Sequence, residues 1–181
     1  MTGHGGAAAR VLPGGWRDVG PAIAGFARVA GRVSGTEPPA VFLTLGRHRR
    51  LFWGWLHFAG RLMPGGRLGR RETEMVILRV ASRTRSAYEL SQHRRLGARA
   101  GLTRAEIGRV EAGESFAGRE RVLLEAVDEL LEREDLGDEV WSRLRAEYDE
   151  REAIEIVMLV GHYRMLATAL RTLRVQPDRS R

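Results

Sequence analysis

The 181-residue sequence contains no cysteine, which excludes disulfides, thiolate metal sites and any thiol redox cycle made by this chain alone. It also lacks lysine and asparagine, so all 30 basic residues are arginine. The net charge of +7 and a pI near 11.1 ordinarily suggest a nucleic-acid partner. Here the arginines run along the whole chain, interleaved with 23 acidic residues, whereas a binding footprint clusters its charge. No nucleic-acid partner is expected. Long apolar runs are missing too: "MTGHGGAAARVLPGG" offers none for a signal peptide, and later apolar stretches are broken by Arg or Glu. The expectation is a cytoplasmic protein without a membrane partner.

No stretch alternates apolar and polar residues as a half-buried strand does. After "GTEPP", apolar residues recur at helical spacing nearly to the end. The pattern predicts helices over about 39–47, 49–63, 70–83, 86–100, 103–112, 117–134, 138–147 and 150–174. A further helix within 17–33 is weakened by Pro21 and its neighbouring glycines. The length favours one domain. The reading is an all-α single domain of about eight packed helices over 37–177, after a partly disordered N-terminal arm (1–36) and before a short tail (178–181). Thr103 with Glu106 makes a capping box, Asp138 and Asp149 suit N-caps, and Gly101, Gly113 and Gly137 suit stops. "PGGRLGR" at 64–70 lacks the Lys-Ser/Thr ending of a phosphate loop and reads as a linker. The last helix, "AIEIVMLVGHYRMLATAL", is apolar on nearly every side, which suits a core or a subunit interface. His57, close to Trp53 and Trp55, reads as packing of the same kind.

The informative stretch is "RTRSAYELSQHRRLGARAGLT", residues 83–103. On a helical wheel Ser86, Glu89 and His93 fall within about 60° of one another and share that arc with Leu90, Leu96, Gly97 and Ala100. Tyr88 falls on the opposite side. In the preceding helix Glu72, Arg79 and Arg83 form the polar face, while Glu74, about 160° from Glu72, shares its arc with Ile77, Leu78 and Ala81. Two consecutive helices, joined at Arg85, thus each turn a carboxylate inward. Glu74, Glu89 and His93 then come within reach of one another. Burial raises a carboxyl pKa and a nearby imidazolium lowers it, the opposing pressures from which acid–base pairs arise. A buried Glu–His pair that merely satisfies itself is the competing reading. Glu155 and His162, seven residues apart on one face of the last helix, read either as a structural pair or as a second wall of the pocket. One nitrogen and two carboxylates, with no second His at a diagnostic spacing, make a poor metal site; no metal is expected.

The order "RRETEMVILRVASRTRSAYELSQHRRLGARAGLT", "LLEAVDELL", "EIVMLVGHYRMLATALRTLRV" resembles the carboxymuconolactone decarboxylase and alkylhydroperoxidase-D-like superfamily. The redox branch of that superfamily carries a Glu followed by Cys-x-x-Cys-x-x-x-His. Aligned on His93, its cysteines fall at Ser86 and Glu89 and its glutamate at Glu74. A thiol peroxidase needs a thiolate and a resolving partner, and neither is present. The match is closer to a Cys-free subgroup with Tyr-Glu ahead of the histidine, though this sequence has Leu90 and His162 where that subgroup usually carries a Trp and an aromatic. The resemblance implies an all-α fold assembling as homotrimers or hexamers.

Two functions follow. The first is a cofactor-free acid–base enzyme, lyase-like, acting on a small carboxylated lactone, enol or quinone-like acid. His93 would be the general acid, Glu89 its orienting partner, and Glu74 the holder of a substrate hydroxyl or shared proton. Arg164 or Arg85 would neutralise the substrate carboxylate, with Ser86 and His162 completing the pocket. The second is a non-catalytic oligomeric module of the same fold.

Overall fold

The computed structural model describes residues 8–179; the first seven residues of the arm and the last two of the tail lie outside the described residues. Ten α-helices and no strand occur among the described residues, so the fold is all-α. The described residues form two compact units, one of those up to Leu56 together with those from Ala169 onward, and one of His57–Thr168.

The first unit holds α1 (Trp16–Val19), α2 (Pro21–Ser34), α3 (Ala40–Leu45), the start of α4 (Arg49–Leu62) and the end of α10 (Glu150–Leu173). Pro21, which counts against a helix in the sequence, is the first residue of α2, a position where the missing N–H is not needed and the fixed φ suits the turn. Gly35 ends α2 in the left-handed region at φ 70°. Ile23, Ala24, Ala27 and Gly31 are buried. Gly31 is required there, since a Cβ would stand 2.7 Å from the Glu37 carbonyl oxygen. Val19, Ile23, Ala24 and Phe52 form the core, with Phe26, Phe42 and Trp55 packed on it. Residues 16–34, read as arm, therefore contribute to a core. The segment before them is also tied down. Arg10 N–H donates to the Leu173 carbonyl and Gly14 N–H to that of Leu43, each at 3.0 Å, while the Leu12 carbonyl accepts from Arg47 at 2.9 Å.

The second unit holds the rest of α4, α5 (Arg70–Arg83), α6 (Ala87–Arg99), α7 (Arg104–Ala112), α8 (Gly118–Arg133), α9 (Asp138–Glu147) and most of α10. Its central helix is α5, buried without a break from Thr73 to Ala81 and packed against α6, α7 and α8. Arg79 belongs to that buried run and not to the polar face the wheel gives it. Its guanidinium is held by Asp128 at 2.7 Å and the Glu114 carbonyl at 2.9 Å, the pairing a buried charge requires. The last helix is two-sided: Ile156, Leu159, Tyr163 and Leu166 are buried, whereas Ile154, Met158 and Met165 are exposed. By length and composition alone α10 could cross a membrane, and half of its apolar window is buried. The Thr103–Glu106 capping box closes at both ends, and Asp149 and Glu152 form a second. Gly137 is the N-cap of α9, ahead of Asp138, and α8 stops at Glu134 in the left-handed region.

Candidate functional site: a buried carboxylate–imidazole cluster

The site is built by the α5–α6 joint. Ser86 N–H donates to the Ala81 carbonyl at 2.8 Å and Arg85 N–H to that of Ser82 at 3.0 Å. This is the six-to-one and five-to-two pattern that closes a helix. Arg85 occupies the left-handed position, at φ 56°, where glycine is the usual residue. The tight reversal starts α6 at once, with Ser86 as its N-cap. It lets Glu74 on α5 face His93 on α6.

Glu74 is fully buried and Glu89, His93 and Ser86 are nearly so. Glu74 Oε2 lies 2.7 Å from His93 Nδ1. An ionised carboxylate only accepts, so Nδ1–H donates and Nε2 is left as the working nitrogen. The other carboxylate oxygen, Oε1, stands 2.6 Å from Arg70 Nη2. This is an ion contact outside hydrogen-bond geometry. Arg70 reaches it from a half-exposed position, its side chain 40% accessible.

Glu89 is different. Neither of its oxygens has a hydrogen bond of good geometry, and burial pushes its carboxyl up to about 7, against a smaller opposing pull from the Ser86 hydroxyl. It is thus a neutral acid or a carboxylate near pH 7, and it is not the partner that orients His93. Glu74 takes that role.

Tyr163, absent from the sequence-based site, completes the cluster. Its ring stands edge-on to His93, centroids 5.3 Å apart at 87°, and its hydroxyl donates to Met63 Sδ at 3.8 Å. Burial, then Glu74 and Glu89, push that hydroxyl's pKa well above its ordinary value, with Arg70 opposing. His162 packs on the other side of Tyr163 at 5.1 Å and on Phe58 at 5.3 Å, and burial pushes it down to about 4, so it is neutral near pH 7.

Several candidates lie elsewhere. Glu155 does not pair with His162; its oxygens accept from the backbone N–H groups of Arg67 at 2.7 Å and Leu68 at 3.1 Å, holding the 64–69 loop against α10. Arg164 is engaged by Glu134 at 2.8 Å. Arg85 is exposed. The cation at the carboxylates is Arg70, four residues before Glu74 and legible as an i, i+4 pair. Tyr163 was legible as a polar-tipped member of the Ile156–Leu159–Tyr163–Leu166 stripe. Tyr88, placed outward by the wheel, is buried, and His57 is exposed. Among the described residues no three His, Asp or Glu side chains group as a metal site would need.

The model of the carboxymuconolactone decarboxylase family matches residues 49–129, the segment from α4 to α8 that carries Glu74, Ser86, Glu89 and His93. Over that segment the chain is similar to the carboxymuconolactone decarboxylase family. Tyr163 and His162 lie beyond the matched segment. The fold is alkylhydroperoxidase-D-like. An uncharacterised peroxidase-related protein with an AhpD core from Ralstonia eutropha JMP134 superposes with a TM-score of 0.80 at 16% identity, covering 92% of each chain. A peroxidase-related protein from Silicibacter sp. TM1040 gives 0.78 at 16%, over 85% of this chain and 83% of that one. The debrominase Bmp8, solved as a cysteine-to-alanine variant with 2,3,4-tribromopyrrole, gives 0.80 at 17%, over 97% and 95%. At such identities the likeness is one of fold. No curated protein matches the chain. The chain has no cysteine and so supplies no thiolate of its own.

Proposed function

We propose that the protein is an acid–base enzyme, lyase-like, that acts on a small carboxylated lactone, enol or quinone-like acid with proton transfers made by its own side chains. The observation that carries this reading is the buried Glu74–His93 contact at 2.7 Å beside a second buried carboxyl, Glu89, with no hydrogen bond of good geometry. A pair kept for packing alone has no use for the second group, whose burial is costly. In the decarboxylation of such a substrate the bond to the carboxylate carbon breaks and CO2 leaves. The electron pair then flows into the conjugated carbonyl, and the dienolate takes a proton at carbon. His93 Nε2 delivers that proton, Glu74 stabilises the imidazolium through Nδ1, and half-exposed Arg70 meets the substrate carboxylate. Enzyme and non-catalytic module part on one experiment. Carboxylated lactones and enol acids are screened with the wild-type protein, and any turnover is re-measured in His93→Gln. A loss of roughly 10² to 10⁴ supports the reading. An activity indifferent to His93, or none across the screen, leaves the module.

A further inference from the structure

Tyr163 is a buried hydrogen-bond donor with almost nothing to donate to. Buried tyrosine hydroxyls ordinarily find an oxygen. This one has a thioether at 3.8 Å, a weak acceptor. Glu89, one helical turn before His93 on α6, is the second group without a good partner, since neither of its oxygens has a hydrogen bond of good geometry. Two poorly satisfied buried polar groups beside one imidazole call for a ligand atom that accepts from both.

We propose that the Tyr163 hydroxyl and the Glu89 carboxyl form a two-donor site, beside the His93 imidazole, for a carbonyl oxygen that becomes an enolate. The inference rests on the acid–base reading above and assigns Glu89 a role distinct from that of Glu74. Glu74 contacts Arg70 and His93 and works through the imidazole. Glu89, with only the Ser86 hydroxyl to favour its charged form, enters as a neutral acid and donates. A hydroxyl and a neutral carboxylic acid, both desolvated, stabilise a developing oxyanion without reorganising at the moment of reaction. The same donor pair, a tyrosine with a protonated carboxyl, is a known solution for enolates in an unrelated isomerase. The ligand class is therefore a conjugated carbonyl compound, bound through the oxygen that receives the electron pair.

The site loses one donor as Glu89 ionises, so oxyanion affinity falls as the pH rises through about 7. The charged and titratable groups around it are Glu74 and Arg70 on α5, His93 on α6, and Tyr163 and His162 on α10. On α7, Glu106 is held by Arg71 and Glu111 by Arg94.

The test uses 3,4-dinitrophenolate, an oxyanion across the neutral range, titrated calorimetrically into the full-length protein on both sides of pH 7. Wild type is expected to bind, more weakly at the higher pH. Tyr163→Phe should weaken binding roughly 10- to 100-fold, the worth of a hydrogen bond to a charged group. Glu89→Gln keeps an N–H donor that does not ionise, so it should bind with the pH dependence removed. Should Tyr163→Phe fail to fold, the pH profile of Glu89→Gln decides alone. A wild type that ignores the phenolate, a Tyr163→Phe protein that binds it equally well, or an unchanged pH profile in Glu89→Gln each overturns the donor pair. His93→Gln separates the two readings. If it destroys turnover while phenolate binding ignores Tyr163 and Glu89, the donor pair alone falls. If the phenolate behaves as expected and no conjugated acid is turned over, the acid–base reading falls and the donor pair stands.

Discussion

Glu74 and His93, nineteen residues apart on consecutive helices, meet at 2.7 Å with the carboxylate fully buried. The contact fixes the imidazole tautomer and leaves Nε2 as its chemical end. Its two members differ in what they tolerate. His93→Gln keeps an amide donor for Glu74, so stability should change by less than about 1 kcal/mol while any turnover collapses. Glu74→Ala removes the anion between Arg70 and His93 and should destabilise by about 3–5 kcal/mol, the cost of breaking a buried pair. Urea unfolding of the two variants measures both. Equal losses would make His93 a structural residue.

How much of this was legible follows from what periodicity encodes. The wheel placed Glu74, Ser86, Glu89 and His93 inward because a helical face is a local property, read from spacing alone. It could not say that His93 pairs with Glu74 and not with Glu89 four residues before it, since that choice depends on how α5 lies on α6. It failed at Arg79 and Tyr88 because long side chains with polar tips are buried wherever a partner meets the tip, and Arg79's partner, Asp128, is 49 residues away. α2 was obscured by a proline whose meaning depends on position: inside a helix it breaks, at the first residue it begins. Glu155 looked like a partner for His162 on one helix face, but its ligands are backbone N–H groups of a distant loop, which no side-chain pattern shows.

Arg85 holds a left-handed backbone conformation, φ 56°, with its side chain exposed. A non-glycine residue there costs on the order of 1 kcal/mol. Arg85→Gly should therefore be neutral to stabilising, raising the melting temperature by about 2–4 °C if that strain is released in full. Substrate affinity should not change, since Arg70 is the arginine at the carboxylates. A large rise in KM with an unaltered melting temperature would return the substrate-binding role to Arg85.

Ile154, Met158 and Met165 recur on the exposed side of α10, and a contiguous apolar stripe of this kind is seldom left to water. The protein should assemble as a homo-oligomer, and light scattering in dilute solution should give a mass well above 20.2 kDa. Met158→Glu should yield a monomer with unchanged helix content by circular dichroism, because the residue lies outside the core. A wild-type monomer would contradict the assembly.

Two buried groups set opposing slopes of stability with pH. Burial raises Glu89 from 4.5 to about 7, so between those values the unfolded chain releases a proton that the folded chain keeps. The stability this gives is complete below pH 4.5 and is lost as the pH rises through 7, on the order of 3 kcal/mol in all. His162 runs the other way. Burial lowers it from 6.5 to about 4; its contribution is complete above pH 6.5 and is lost as the pH falls through 4, by a comparable amount. From pH 4.5 to 6.5 the two slopes offset, and wild-type stability should vary little on their account. Single substitutions should expose each limb: Glu89→Gln should leave stability rising with pH across that range, and His162→Gln should leave it falling. Urea midpoints taken at a series of pH values, each variant compared with wild type so that shared groups cancel, give the two differences directly. If Glu89→Gln follows the wild-type profile throughout, the Glu89 carboxyl is hydrated in solution, and its neutral form cannot be the donor that the Tyr163 site requires.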